Sequence, residues 1–241
     1  MIQMELDFQL EKPEFPVEYD RLIISFIKAS LQEYSPELLE QLYTKQASVI
    51  KPYCWACHLP GAKFSDGKIL LIEKRFKLYF CDADLAQNIH FFNAFTTMKR
   101  KEYPVKGGNR MWLCGVKFRR HSEIEDSEII VKMQSSLLVR RHNAENNTDI
   151  YYTCEDAVFS EVVKENIRTM QQKQKLTYRL DDFQIYPIKA KKVVTKVFGR
   201  PTNASIGIFK LVGSAELLNY LYTAGLGVRR SEGHGKFVII G

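Results

Sequence analysis

The chain has 241 residues, of which 45% are hydrophobic and 12% aromatic. This apolar content is enough to bury one large core or two smaller ones, so a globally disordered chain is excluded. A formal net charge of +7 favours a polyanionic partner such as a nucleic acid, without requiring one. Because no apolar run of about 18 residues occurs and the opening residues lack the order of a secretory signal, we expect a cytoplasmic protein with no membrane partner.

The first half of the chain predicts the order strand, helix, strand, strand, helix, strand. Residues 4–10 alternate apolar and polar side chains, which is typical of a half-buried strand. Apolar residues recur at helical spacing from Leu22 to Leu31, and Ser35-Pro36 is typical of the start of a second, short helix that ends near Tyr43. The remaining elements are strands over 53–59 and 68–80 with a break at Lys74-Arg75, a helix over 84–98 and a strand over 111–119.

The second half repeats this order. Its predicted elements are a strand over 128–140, a helix over 156–171, strands over 183–197 and 205–212, a helix over 215–223 and a strand over 236–240. The polar residues 142–148 predict an exposed loop. We therefore predict an α+β fold with two tandem ferredoxin-like (RRM-like, β-α-β-β-α-β) domains, residues 1–124 and 125–241, with the boundary in an acidic stretch.

The five cysteines show no pattern of a metal site. Cys54, Cys57 and His58 resemble half of a zinc knuckle, but no second close pair follows, and residues three apart in a strand point to opposite faces. We therefore expect reduced thiols, no metal and no cofactor.

A glycine-rich segment with two arginines lies between the last predicted helix and the final strand. The glycines and arginines of this segment are Gly225, Gly227, Arg229, Arg230, Gly233 and Gly235. Glycines let a backbone approach a ligand closely, and arginines can neutralise phosphates. A dinucleotide-binding loop is disfavoured because that fingerprint lies between a strand and a following helix. From these residues alone, a flexible connection remains the alternative.

This segment, with its Gly-hydrophobic-Gly, five residues of basic character and Gly-x-Gly, resembles the C-terminal signature of the CRISPR-associated repeat-processing endoribonucleases of the RAMP superfamily. The resemblance extends over nearly the whole chain, through Lys51-Pro52-Tyr53, residues 135–140 before Tyr151-Tyr152, residues 159–166, and residues 207–213 ahead of Leu217-Leu218.

The resemblance implies two RNA-recognition-like folds that bind CRISPR repeat RNA (pre-crRNA), single-stranded or in a small hairpin. It also implies metal-independent cleavage, in which the ribose 2′-hydroxyl attacks the adjacent phosphate and leaves a 2′,3′-cyclic phosphate and a 5′-hydroxyl. Other CRISPR effector subunits are further candidate partners, and both a monomer and a homodimer are compatible with the sequence.

RNA transesterification needs a base, an acid and positive charge. Family members commonly place a histidine just before the Lys-Pro strand, a tyrosine in the first helix and a lysine at that strand. Here Tyr43 stands where the histidine is expected, Lys28 replaces the tyrosine, and Lys51 matches the lysine. The resemblance thus implies a catalytic cluster of Lys28, Tyr43, Lys45 and Lys51. Packing is the alternative role for Tyr43, since a phenol with its ordinary pKa of about 10 is a poor base at neutral pH.

A basic stretch near the C-terminal end predicts an RNA-binding surface. It places five positive charges within twelve residues, at Lys189, Lys191, Lys192, Lys196 and Arg200. In a strand, Lys192 and Lys196 share a face. Phosphate contact and a solvated basic strand are the two interpretations, and only the first gives RNA binding that weakens steeply with salt. Basic residues at other strand ends are weaker candidates for the same surface: Arg119, Arg120, Arg140, Arg141 and His142.

Three functions are compatible with these features. The leading hypothesis is a repeat-specific endoribonuclease, and the second is a non-cleaving CRISPR repeat RNA-binding protein of the same fold. They differ in whether the residues between Lys28 and Lys51 perform chemistry. A general RNA-recognition module is the third, although its aromatic strand motif is imitated only weakly by Tyr79 and Phe80.

Overall fold

A computed structural model describes residues 1–43, 50–65, 67–197 and 199–241 of the chain. The chain divides into two compact units. The N-terminal unit consists of Ile2–Lys51 and Cys57–Arg120, and the C-terminal unit consists of Met1, Pro52–Ala56 and His121–Gly241. The domain boundary after residue 124 stays a prediction.

The first half of the chain contains the elements of one ferredoxin-like fold and a small additional sheet. In chain order these are β1 (Ile2–Leu10), β2 (Glu14–Pro16), α1 (Tyr19–Tyr34), α2 (Pro36–Tyr43), β3 (Tyr53–His58), β4 (Lys63–Ser65), β5 (Lys68–Leu70), β6 (Arg75–Asp82), α3 (Leu85–Thr97), β7 (Glu102–Val105) and β8 (Asn109–Arg120). The predicted break inside residues 68–80 is confirmed, with Lys74 at a positive φ of 53° between β5 and β6.

The main sheet of this half has the order β3-β6-β1-β8-β7. In this order β3, β6, β1 and β8 correspond to the second, third, first and fourth strands of a β-α-β-β-α-β unit. This is the strand order of a ferredoxin-like fold. The core forms between this sheet and the helices: Phe8 stacks on Phe76 at 4.7 Å between ring centroids and meets Phe26 of α1 edge-on at 5.1 Å. Because side chains alternate along a strand, residues 3, 5, 7 and 9 of β1 lie on the opposite face.

The second half of the chain repeats the fold. Its elements are β9 (Glu128–Met133), β10 (Val139–Asn143), β11 (Thr148–Tyr152), α4 (Phe159–Gln174), β12 (Gln184–Val197), β13 (Arg200–Val212), α5 (Ala215–Ala224), a short 3-10 helix (Arg230–Glu232) and β14 (Phe237–Ile239). The sheet order β12-β13-β9-β14 is again second, third, first, fourth. Phe159 of α4 packs on Phe209 of β13 with 6.1 Å between ring centroids. The predicted α+β class with two ferredoxin-like folds is confirmed.

The predicted strand over 128–140 was wrong, because the chain leaves the sheet after Met133. The backbone N–H of Ser135 donates to the carbonyl of Lys236, and the carbonyl of Ser136 accepts from the N–H of Gly235. These bonds to Gly235 and Lys236 separate residues 134–136 from the sheet, which the chain meets again only in an isolated bridge between Leu137 and Ser205 of β13. The predicted loop over 142–148 is shorter than expected, since β10 and β11 pair up to Asn143 and Thr148.

In the described ranges no helix is long and apolar enough to cross a bilayer. All five cysteines are free thiols, of which Cys54 and Cys81 are buried and Cys114 is exposed.

Candidate active site and nucleic-acid interface

Three of the four predicted catalytic residues lie together in the N-terminal unit. Tyr43 is the last residue of α2, Lys28 is exposed on α1, and Lys51 lies just before β3. The Nζ atom of Lys28 is 4.5 Å from the centroid of the Tyr43 ring, and that of Lys51 is 4.6 Å from it. We call these three residues the lysine–tyrosine cluster. The fourth predicted member, Lys45, lies outside the described residues.

The lysine–tyrosine cluster combines positive charge with exchangeable protons. A cation near the face of an aromatic ring is stabilised by the ring quadrupole, which holds both ammonium groups close to the phenol. Two ammonium groups and one phenol can donate to phosphate oxygens and protonate a leaving oxygen, which supplies the acid and the positive charge of a transesterification; a member acts as the base only in its deprotonated form.

No histidine lies on α1 or α2, because the first histidine of the chain is His58. Elsewhere, His90 lies within hydrogen-bonding distance of Tyr34 at 3.2 Å, and His142 contacts Asp149 at 2.9 Å. His234 is buried in the glycine-rich segment, where its Nδ1 lies 2.8 Å from the Oγ of Ser136. Burial and the nearby charge of Arg229 lower the pKa of His234 to about 4, so its ring is neutral at physiological pH.

The glycine-rich segment packs tightly within the C-terminal unit. Gly233 and Gly235 have positive φ values of 92° and 72°. A Cβ atom at Gly233 would lie 2.5 Å from the ring of Trp55, and one at Gly235 would lie 1.8 Å from the carbonyl oxygen of Leu226. The other two glycines are similarly crowded, Gly225 by Cys54 and Gly227 by Leu138. These contacts within the protein leave no room for a side chain at any of the four positions, and RNA contact by the glycines stays a prediction.

The two arginines of the segment also bind protein groups. Arg230 is buried, and its Nη1 donates to the carbonyl of Ala224 at 3.0 Å. Arg229 donates to the hydroxyl of Tyr151 at 3.2 Å and to the carboxylate of Glu232 at 2.9 Å. This geometry gives Arg230 a structural role, while Arg229 is only partly buried. RNA contact by either residue stays a prediction.

The predicted basic surface forms on the long β12–β13 pair, where Lys189, Lys191, Lys192, Lys196 and Arg200 are all exposed. A register shift between Pro187 and Lys189 moves the alternation by one residue. Lys192 and Lys196 share one face, with the exposed Val194 between them, and Lys189 and Lys191 lie on the other. The positive charge is therefore presented on both faces.

The weaker candidates on β10 are paired with carboxylates. Arg140 and His142 both contact Asp149, and Arg141 binds Glu165 through two hydrogen bonds of 2.6 and 2.8 Å. These pairs leave β12 and β13 as the more strongly positive surface. Across the described part of the chain, no three His, Cys, Asp or Glu side chains are grouped as metal ligands.

Sequence reasoning missed a charged cluster on β1. Glu5 is 1% exposed and binds three cations: Lys77 at 2.5 Å, Lys117 at 3.1 Å and Arg119. Burial raises the pKa of Glu5, but hydrogen bonds from Lys77, Arg119 and Lys117 outweigh that effect and lower it to about 2. The alternation of residues 4–10 could have indicated this cluster, because it places the two carboxylates Glu5 and Asp7 on the same face of the strand.

Comparisons with known proteins agree with this architecture. A RAMP protein described as binding different RNA substrates has a TM-score of 0.84 at 18% identity, with 100% of both chains covered. A Cas6-related protein from Pyrococcus furiosus has a TM-score of 0.86 at 17% identity, covering 99% of this chain and 98% of its own. A Cas6 product complex (TTHB231) has a TM-score of 0.71 at 16% identity, with 99% of both chains covered.

At these identities the solved structures show a shared fold. No curated protein sequence matches the chain. The family described as CRISPR associated protein Cas6, C-terminal, matches residues 119–239, which is just over half of the 241 residues and includes the whole glycine-rich segment. The chain therefore belongs to the Cas6 family of CRISPR-associated, repeat-processing proteins.

Proposed function

We propose that this protein binds CRISPR repeat RNA and cleaves it without a metal ion, by attack of a ribose 2′-hydroxyl on the adjacent phosphate. The observation that carries the proposal is the lysine–tyrosine cluster, in which two ammonium groups lie within 4.6 Å of one phenol ring. The resemblance to the family implies catalytic residues at these positions, and the charge of the cluster suits a phosphate ligand.

In this reaction the 2′-oxygen forms a bond to phosphorus while the bond between phosphorus and the 5′-oxygen breaks. The proton of the 2′-hydroxyl passes to a base, and an acid gives a proton to the departing 5′-oxygen. We assign both transfers to the lysine–tyrosine cluster: one member in its deprotonated form accepts the proton of the 2′-hydroxyl, a protonated member gives a proton to the 5′-oxygen, and a lysine ammonium stabilises the charge of the phosphorane. Each proton transfer contributes about 10²- to 10⁴-fold to the rate.

The basic surface on β12 and β13 supports the binding part of the proposal. Its five exposed cations can neutralise phosphates along a single strand, and the affinity should then fall steeply with salt. The surface belongs to the C-terminal unit, which carries most of the match to the family.

The test is incubation of the protein in EDTA with the repeat RNA of its own genome. A parallel series carries a single 2′-deoxy nucleotide at each candidate site. We expect a cut at one position, abolished by one deoxy substitution, with a 2′,3′-cyclic phosphate on the upstream product. A cut that requires a divalent cation, or that survives every deoxy substitution, would overturn the mechanism.

A second candidate function is favoured by one observation, the absence of any histidine from α1 and α2. In this alternative the protein holds repeat RNA without cutting it, as one subunit of an effector complex. The similar RAMP protein described as binding different RNA substrates fits such a role. Tight binding of the repeat RNA without any cleavage in the same assay would select this candidate.

A further inference from the structure

The face of the N-terminal sheet opposite the helices carries an ordered set of charged and aromatic side chains. We call it the polar face. Its rows across β6, β1 and β8 are Arg75–Gln9–Trp112, Lys77–Asp7–Gly115 and Tyr79–Glu5–Lys117, followed by Gln3–Arg119 on β1 and β8. Neighbours in one row of an antiparallel sheet project to the same side, so these residues form one surface.

Glu5 organises the centre of the polar face. Its carboxylate is buried, whereas the side chains that bind it remain accessible: Lys77 is 37% exposed, Lys117 is 50% exposed and Arg119 is 55% exposed. One oxygen of Glu5 accepts from both lysines, and the other accepts from Arg119. The carboxylate therefore lies beneath three cations and fixes their positions, while their outer surfaces face solvent.

Aromatic side chains also lie on the polar face. Tyr79 is the cross-strand neighbour of Glu5, and its ring centroid is 6.4 Å from that of the exposed His58. Trp112 is partly exposed at the end of the polar face, opposite Gln9. Gly115, in the row between, adds no side chain that would cover Asp7.

The charge and the rings together select the class of ligand. Sheets that bind single-stranded RNA stack bases on aromatic side chains and place cations along the sugar-phosphate backbone. An acidic peptide would match the cations but would leave the rings unused. We propose that the polar face binds single-stranded RNA, with bases on Tyr79, His58 and Trp112, phosphates on Lys117 and Arg119, and Glu5 as a positioning residue for those cations. This inference rests on the proposed function, because it takes the ligand to be RNA.

Tryptophan fluorescence gives a direct test, since the chain contains only two tryptophans. Trp55 is fully buried, whereas Trp112 lies on the polar face. The probe is the repeat RNA made uncleavable by 2′-deoxy substitution, with a short oligouridylate in parallel. We expect RNA to quench the emission of the wild type, and the Trp112→Phe variant to lose that quenching. Quenching that survives in Trp112→Phe would contradict stacking on Trp112.

Affinity measurements at several salt concentrations test the cations. Lys117→Ala and Arg119→Ala should each weaken RNA binding and lower the magnitude of the salt slope by about 0.7, the value for one phosphate of a single strand. The matched control is Lys101→Ala, an exposed lysine of the same unit that pairs with Glu33 at 2.8 Å. Unchanged affinity and slope in both test variants would overturn the inference.

Glu5→Gln separates positioning from net charge, because the two roles predict changes of opposite sign. If Glu5 only offset positive charge, its neutralisation would tighten RNA binding. If it positions the cations, binding weakens although the protein becomes more positive, and this is the result that we expect. Thermal unfolding is measured alongside, and should Glu5→Gln fail to fold, the variants of Lys117, Arg119 and Trp112 still decide the question.

RNA binding by the wild type distinguishes failure of the proposed RNA function from failure of this inference alone. If it binds neither probe, the proposed RNA function fails together with this inference. If it binds the repeat RNA while the variants of the polar face bind equally well, only this inference fails.

Discussion

The indole Nε1 of Trp55 donates a hydrogen bond to the carbonyl oxygen of Ser231, 3.0 Å away and 176 residues later in the chain. The same ring lies against Gly233, where a Cβ atom would approach it to 2.5 Å. Because Trp55 is fully buried, its ring cannot easily move away from a side chain added at Gly233. The contact explains why the glycine-rich segment tolerates no side chain at this position.

We therefore expect Gly233→Ala to lower the free energy of unfolding by roughly 2 to 5 kcal/mol, through overpacking and strain at a positive φ. The control is Gly107→Ala, which has a φ of 87° but no atom within 4 Å of the added Cβ. It should cost only the backbone strain, about 1 to 2 kcal/mol. Urea unfolding of both variants makes the comparison, and equal losses would show that the Trp55 contact contributes nothing.

Asp82, at the end of β6, should make stability depend on pH. Burial raises the pKa of its carboxyl from the ordinary 3.8 to about 8, and its Oδ2 has no hydrogen-bond partner. Because the folded protein binds this proton more tightly than the unfolded chain, the free energy of unfolding falls as pH rises between these values. The slope is about 1.4 kcal/mol per pH unit for one proton.

Asp82→Asn should remove that slope while keeping the shape of the side chain. The variant is then more stable than the wild type at pH 8, and the difference disappears near pH 4. Denaturant unfolding across this range measures it. Parallel pH profiles for the two proteins would show that Asp82 ionises freely in the folded state.

Lys51→Ala should reduce cleavage far more than binding. If Lys51 transfers a proton or stabilises the phosphorane, its removal slows single-turnover cleavage by about 10²-fold or more. The affinity for uncleavable repeat RNA should change only a few-fold, because one phosphate contact at most is lost. Equal losses in rate and affinity would make Lys51 a binding residue.

Tyr43→Phe tests the phenol without disturbing the ring that Lys28 and Lys51 contact. We expect cleavage to fall by about 10²-fold, since the hydroxyl is one of the proton carriers in the proposal. Thermal unfolding should change little, because the aromatic contacts remain. Full activity in this variant would assign Tyr43 to packing and leave the chemistry to the lysines.

Lys192→Ala and Lys196→Ala test the basic surface on β12. Each should weaken RNA binding and reduce the magnitude of the salt slope by about 0.7. Lys210→Ala is the matched control, because that lysine lies on the neighbouring strand and pairs with Glu128 at 2.6 Å. A salt slope that is unchanged in all three variants would show that β12 makes no phosphate contacts.

Much of the fold could be predicted because local periodicity decides it. The alternation in β1 and the helical spacing in α1 and α4 both reflect one buried face, which the sequence displays directly. The strand predicted to reach residue 140 failed for the opposite reason. Ser135 and Ser136 leave the sheet because their backbone groups bond to Gly235 and Lys236, about 100 residues away, and no local pattern records such partners.

The candidate site was predictable only in part. The resemblance to the family located Lys28, Tyr43 and Lys51, and the structure brings them together. In contrast, the crowding of Gly233 by Trp55 and the three cations around Glu5 depend on distant segments of chain. Residue types suggested phosphate binding for the glycines and for Arg230; the structure adds their internal packing, and RNA contact by these residues stays a prediction.

The position of Trp55 also constrains how the protein can be made and divided. Pro52–Ala56 belongs to the C-terminal unit although it is synthesised before most of the N-terminal unit. A fragment that begins at residue 125 would lack this indole and would expose the groups that surround it. On the ribosome, Trp55 emerges long before Ser231, so the C-terminal unit can complete its core only when translation is nearly finished. Contacts of such long sequence separation slow folding. We therefore expect the separately expressed C-terminal half to aggregate unless residues 52–56 are supplied.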